Sequence, residues 1–354
     1  MRLVCEASKL RKPIAIVGAG ATCLEVLALL KEEIHLVSLI VDSDFKNKHI
    51  DQLSIEIQPI EQLKLFDGEI LIACAGNESL RATLSDLGLN EVNYYYNYLA
   101  NQNIQKDWIS ANPHIFQLSA LFEDKKSLKS FNSILNSALT GEFNFPFHCV
   151  EPKPFFGADE FPIKFGDRLL DLGTHRGRHL QILTESDIRL LDSIICIEPD
   201  VSNNSHILNL FSYDSIKHDA WNSKLTIINK AIKSSHGIAT GNGKGISNSI
   251  SSIGSIDVNN QGDFKVETIT LNDFIDYKPT LITADIEGDE LELLSGGKEL
   301  LVECRPRVAI STYHKPEHLI QITEFFESLP IEKSYKFRLH DFGYMDQVLY
   351  VQFL

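Results

Sequence analysis

The chain has 354 residues, 44% hydrophobic and 23% charged, ordinary for a globular protein and long enough that two domains are the default expectation. Acidic residues outnumber basic ones 48 to 33, and the formal net charge of −15 argues against a sequence-independent grip on nucleic acid or an anionic membrane. The six cysteines never approach CxxC spacing, the opening MRLVCEASKLRKP lacks the apolar core of a signal peptide, and no stretch reaches the ~18 apolar residues of a membrane span. The expected setting is the reducing cytoplasm.

Ile14–Val17 reads as a short strand closed by Gly18-Ala19-Gly20, with a helix over Leu24–Leu30 and a second strand over Leu36–Val41, ending at Asp42. Ile70–Ala73 reads as a further buried strand. Strand, glycine turn, helix, strand is a βαβ unit, and its sheet should be parallel. From about Asn101 the pattern loosens into mixed helical segments, and in GEFNFPFHCVEPKPFFGADEFP, residues 141–162, Pro146, Pro152, Pro154 and Pro162 exclude a long helix or central strand. The expected domains are 1–100, a helical and loop linker over 101–150, and 151–354. In the last of these, strands are predicted at Arg168–Leu172, Ser193–Ile197, Leu225–Ile228, Leu281–Ala284 and Arg307–Tyr313. Helices are predicted from Arg178 to Leu183 and over Glu290–Leu301. Tyr335–Leu339 and Gln347–Phe353 form a predicted antiparallel pair, and GNGKGISNSISSIG, residues 241–254, reads as a loop. The expected fold class is α/β, with two Rossmann-like doubly wound domains.

Two glycine loops follow predicted strands. In VGAGATCLE, Cys23 stands where a dinucleotide fingerprint wants its third small residue, although the expected acid is present as Asp42. Two readings fit Gly18, Gly20 and Asp42: a nucleotide with its phosphates on the helix start and its ribose on Asp42, or a tight turn that binds nothing. In DLGTHRGRHL, Asp171 lies on the loop itself, poorly placed for a pyrophosphate, and Glu198 ends the next strand 27 residues further on. A ligand with a cationic amino acid part and a free ribose suits this pair, and that describes S-adenosylmethionine. The plainer reading is that Gly173 and Gly177 permit a turn and Asp171 caps a helix.

ITADIEGDELELLSGG, residues 282–297, brings Asp285, Glu287, Asp289 and Glu290 together. Glu287 or Asp289 can cap a helix, Asp289 with Glu292 fits a capping pattern, and a helix start accounts for Asp289, Glu290 and Glu292. It accounts poorly for Asp285, which ends a strand where open α/β sheets collect their ligands. His314 ends the next strand run, so the two should be neighbours, and a carboxylate with an imidazole there can deprotonate a substrate hydroxyl. Metal binding would need more oxygen ligands or several His at ligand spacing, and the sequence assembles no such set.

The runs DLGTHRGRHL, CIEPD, INKAI, GISNSISSIG, VETITLNDF, ITADIEGDELELLSGG, RVAISTYHKPEHL and MDQVLYV, in order over roughly 151–354, resemble the FkbM family of S-adenosylmethionine-dependent methyltransferases. The resemblance implies a seven-stranded class I methyltransferase fold and methyl transfer to a hydroxyl, often on a sugar or secondary metabolite. It implies that Asp171, Gly173, Thr174 and Gly177 form the methionine-side loop, that Glu198 with Pro199 contacts the ribose, and that Asn229 and Ala231 lie near the adenine. Asp285, Glu287 and His314 would face the acceptor, with Ser249, Ser251 and Ser252 at its entrance. His175-Arg176 departs from the small or polar residues expected inside the loop. Residues 1–100 are similar to small Rossmann-like domains that precede sugar acyltransferases, which implies a nucleotide-sugar there; an oligomer is possible. Two alternatives remain, an NAD-linked oxidoreductase run by the N-terminal domain and a non-catalytic binding protein with a methyltransferase fold. Cys23 counts against the first, and the presence of both Asp171 and Glu198 against the second.

Overall fold

The computed structural model describes residues 12–46, 50, 55–73, 78–89, 93–94, 111–140, 149, 151, 155–157, 161–177, 179–241, 264–315, 317–340 and 347–354. The chain divides into two compact units, one of 1–112, 129–152 and 341–345, the other of 113–128, 153–340 and 346–354.

In the first unit, apolar runs bounded by glycine and polar residues give β1 (Ile14–Val17), β2 (Val37–Val41), β3 (Ile57–Gln58), β4 (Glu69–Ile72) and β5 (Asn93–Tyr94). Helix α1 (Ala21–Leu30) follows β1, and α2 (Glu78–Asp86) follows β4. The strands pair in parallel in the order β3-β2-β1-β4-β5, the reversal at β1 being that of a doubly wound sheet. Ile14, Ile16, Val26, Leu27, Leu30 and Ile40 close its core. Helix α3 (Lys125–Thr140) contributes its first four residues to the second unit and the remainder to the first.

The second unit holds β6 (Asp167–Leu172), α4 (Glu185–Leu190), β7 (Leu191–Ile197), α5 (Asn204–Leu208), α6 (Ser215–Asn222) and β8 (Leu225–Ile228). A small three-stranded sheet follows, from β9 (Ala231–Ile232), β10 (Gly237–Gly241) and β11 (Phe264–Ile269). Then come β12 (Leu281–Ala284), α7 (Glu290–Ser295), α8 (Lys298–Cys304), β13 (Arg307–Ser311), α9 (His318–Glu327), β14 (Lys333–Leu339) and β15 (Gln347–Phe353). Seven strands form one sheet in the order β14-β15-β13-β12-β6-β7-β8. β15 runs antiparallel to both neighbours, as the predicted closing pair requires, and the other pairings are parallel. The strand order reverses at β6, which therefore opens a crevice at the carboxyl ends of β6, β7, β12 and β13. The amino ends are closed differently: Arg307 pairs with buried Asp167 at 2.5 Å, and Asp167 also accepts from Thr280.

Two predicted helices change. The helix expected over Glu290–Leu301 breaks into α7 and α8, because Gly296 and Gly297 are pressed against neighbours. A Cβ on Gly296 would lie 2.6 Å from the Lys233 carbonyl, and one on Gly297 2.4 Å from the Leu271 side chain. The helix expected from Arg178 is, among the described residues, a single 3-10 turn, Leu180–Ile182. No helix among the described residues is long and apolar enough to cross a membrane.

Candidate active site

The glycine loop leaves β6 under tight constraint. Gly173 has φ +77, and a Cβ there would sit 2.0 Å from the Asp285 carbonyl, so no other residue lets β6 and β12 end side by side. Gly177 has φ +75 and faces the Leu210 side chain, with 2.6 Å to the position a Cβ would take. Asp171 is buried at the mouth of this loop. Its Oδ1 accepts from Thr283 at 2.5 Å, while its Oδ2 is buried without a hydrogen-bond partner. Burial raises its pKa against the Thr283 hydrogen bond. An orphaned carboxylate oxygen of this kind is what a cationic ligand group would satisfy. Thr174, also buried, donates back to the Asp171 carbonyl at 3.2 Å.

Glu198 leaves the end of β7 and turns inward. Its Oε2 accepts from the His175 amide at 2.6 Å, and its Oε1 from the Asp200 amide at 2.9 Å and Asn203 Nδ2 at 3.2 Å. The residue is 1% exposed, and burial lifts its pKa to about 7 despite those donors. Each carboxylate oxygen carries two lone pairs, so Oε2 keeps one for a hydroxyl. His175 itself has φ +50, the conformation that aims its amide at Glu198. Asn229 donates to the Glu198 carbonyl at 3.1 Å and pairs with Asn204, which puts it beside Pro199 at the crevice rim. Ala231 instead packs its methyl into the small sheet against Ala239 and Val266, leaving only its backbone for a ligand. Ser249, Ser251 and Ser252 lie outside the described residues.

The first unit repeats the Glu198 arrangement on its own loop. Asp42 Oδ2 accepts from the Ala19 amide at 2.7 Å across the same separation of 23 residues that joins His175 to Glu198. Gly18, with φ +99, donates to the Val41 carbonyl at 2.8 Å, as Gly173 does to that of Ile197 at 3.0 Å.

Asp285 and His314 meet as the sheet order requires. Asp285 Oδ1 lies 3.3 Å from His314 Nε2 and accepts from the Tyr313 hydroxyl at 3.3 Å, while its Oδ2 lies 3.1 Å from His179 Nε2. Burial disfavours its charge, but the His179 hydrogen bond and the two imidazoles outweigh burial and hold its pKa below the ordinary value. Glu287 approaches His314 Nε2 at 3.6 Å from a half-exposed position, held there by its own φ of +55. His314 is pushed up to about 9: burial opposes the charge, and the Glu290 hydrogen bond with Asp285, Glu290 and Glu287 overcomes it.

Glu290 does open a helix, as expected with Glu292 in its first turn, but its side chain turns inward. It is 0% exposed, its Oε1 accepts from His314 Nδ1 at 2.8 Å, and its Oε2 lies 3.0 Å from His318 Nδ1. Burial works against its charge, yet the His314 hydrogen bond and the two neighbouring imidazoles hold its pKa far below the ordinary value. Asp289 makes no side-chain cap and pairs with Lys233 at 2.8 Å. Asp285, Glu290 and His314 bring one ligand-type atom each within 4.8 Å of one another; Glu290 and His314 are hydrogen-bonded, while His314 Nε2 and Glu290 Oε2 are buried without a hydrogen-bond partner.

The glycine loop with buried Asp171, Glu198 after the next strand and the Asp285–His314 pair across the switch point all lie at the carboxyl ends of one sheet. The methyltransferase FkbM domain pattern matches residues 171–349, which hold all of these groups. The chain belongs to the FkbM methyltransferase family. It is a methyltransferase. Among solved structures, a methyltransferase FkbM from Methylobacillus flagellatus KT is similar at 18% identity and a TM-score of 0.66, over 98% of this chain and 92% of that one. A precorrin-6y C5,15-methyltransferase from Geobacter metallireducens GS-15 is 9% identical, over 54% of this chain and 81% of that one, with a TM-score of 0.30. An rRNA methylase from Streptococcus thermophilus is 10% identical, over 54% and 89%, with a TM-score of 0.33. No curated protein matches the chain.

Proposed function

We propose that this FkbM methyltransferase is an S-adenosylmethionine-dependent O-methyltransferase acting on a hydroxyl of a sugar, glycan or similar polyol. The observation that carries the reading is the Asp285–His314 pair, set at the carboxyl ends of β12 and β13 beside the orphaned Oδ2 of Asp171. The residues fit the cofactor in three places. Asp171 would take its ammonium group, Glu198 a ribose hydroxyl, and the loop of Gly173 and Gly177 its methionine part. When bound, the cofactor supplies an electrophilic methyl group on a sulfonium.

What the chain adds is alignment and a proton acceptor. Asp285 is ionised at neutral pH and takes the proton of the acceptor hydroxyl, while the His314 imidazolium and His179 hold it in place. The repeated acid-to-loop hydrogen bond of Asp42 favours a second ligand in the first unit, a nucleotide such as the carrier of a nucleotide-linked sugar. Calorimetric titration with S-adenosylhomocysteine, with NADH for comparison, tests the cofactor. Micromolar binding of the homocysteine nucleoside alone is expected. Binding of NADH alone would move the cofactor to the first unit and replace methyl transfer to oxygen with hydride chemistry.

A further inference from the structure

A fully buried carboxylate must be paired, and Glu290 directs its two oxygens to imidazoles from two different elements. His314 comes from the bend three residues after β13 and His318 from the first position of α9. His314 then turns its Nε2 to Asp285, whose other oxygen faces His179. His318, Glu290, His314, Asp285 and His179 therefore follow one another within 3.3 Å at each step, hydrogen-bonded from Glu290 to His314 and from Asp285 to His179 and in ion-pair contact alone at the other two steps. Glu290 also accepts from the Ile286 amide at 3.2 Å and the Gly288 amide at 3.4 Å, so the same carboxylate fixes the turn that carries Glu287.

We propose that Glu290 is the positioning residue of this centre: it holds His314 as an imidazolium turned toward Asp285, and it thereby sets the alkaline limit of the enzyme. The proposal deepens the assignment of Asp285 as proton acceptor and rests on it. A carboxylate within hydrogen-bond reach of a buried imidazole fixes the ring's orientation and favours its charged form. The charged and titratable groups facing His314 are Asp285 and Glu287 from the turn after β12, and Glu290 from α7. Tyr313 lies against its ring, tilted by 40° with centroids 4.1 Å apart, and Lys315 follows it in the chain, close to Gly288. His179 and His318 meet it only through the carboxylates. Three acids against this set keep His314 protonated below about 9, and the proton is lost above that pH. Methyl transfer should fall along that limb.

Glu290→Gln keeps the shape and removes the charge. The experiment is a nuclear magnetic resonance titration of the histidine ring nitrogens in the full chain, wild type and variant, with thermal melting as a check on folding. The wild-type His314 midpoint is expected near 9, and the variant's lower by roughly one pH unit or more. A midpoint unchanged by the substitution overturns the proposal. So does a wild-type midpoint near the ordinary imidazole value of about 6.5, which decides the matter if the variant fails to fold. Stoichiometric broadening of His314 by added Mn²⁺ also overturns it, because the carboxylates then belong to a cation. The titration needs no turnover, so a normal titration in a chain that transfers no methyl group would sink the functional reading alone.

Discussion

Asp285→Asn should lower kcat for methyl transfer by about 10²–10⁴-fold, the range that a positioned proton acceptor contributes, with affinity for S-adenosylhomocysteine nearly unchanged. Asparagine matches aspartate in size and leaves the backbone carbonyl that Gly173 packs against, so the loop should keep its course. What is lost is the charge on which three groups converge, His179 at 3.1 Å and Tyr313 and His314 at 3.3 Å each. An uncharged side chain there neither takes a proton nor steadies the His314 imidazolium. The check is a steady-state assay on an acceptor found by screening sugars and nucleotide-sugars, with calorimetry of the cofactor product beside it. Near-normal turnover would leave Asp285 a structural residue and shift the proton acceptor to Glu287.

The same segment shows how far a sequence can be read. Strand runs such as ITAD and RVAIS announce themselves by unbroken β-branched and apolar residues, and their order predicts which ends share a crevice. Asp285 and His314 were therefore legible as neighbours before any coordinates. Glu290 was not, since an acid in the first turn of a helix has a sufficient local explanation in the helix dipole. Its burial is a tertiary fact: its partners lie 24 and 28 residues away, on elements brought over it by packing. The one available signal was HKPEH, two histidines four apart in a sequence that also holds an acid-rich turn. The break at Gly296-Gly297 was hidden for a related reason. A glycine pair costs a helix about 2 kcal/mol, which packing can override in either direction, and the Lys233 carbonyl and Leu271 are what make it obligatory. His175-Arg176 looked foreign in a glycine loop. The structure uses only the His175 amide for Glu198, and backbone amides carry no sequence signature.

Glu198→Ala should weaken S-adenosylhomocysteine binding by roughly 1.5–3 kcal/mol, or about ten- to 150-fold, the scale of hydrogen bonds to a charged acceptor. The loss has two sources. The ribose loses its carboxylate, and the amides of His175 and Asp200, with Asn203 Nδ2, lose the acceptor that shapes the loop. Glu198→Gln separates them, since the amide oxygen still accepts while the charge is gone. Burial lifts the Glu198 pKa to about 7, so the ionised form prevails above that pH and is titrated away below it. If the ionised form is the one that binds, wild-type affinity should be about tenfold lower at pH 6 than at pH 8. The glutamine variant, with nothing to titrate there, should bind equally at both. Calorimetry at the two pH values decides: wild-type affinity flat with pH would mean that the donors around Glu198 keep it charged throughout, and affinity unchanged in the alanine variant would remove Glu198 from the ribose site.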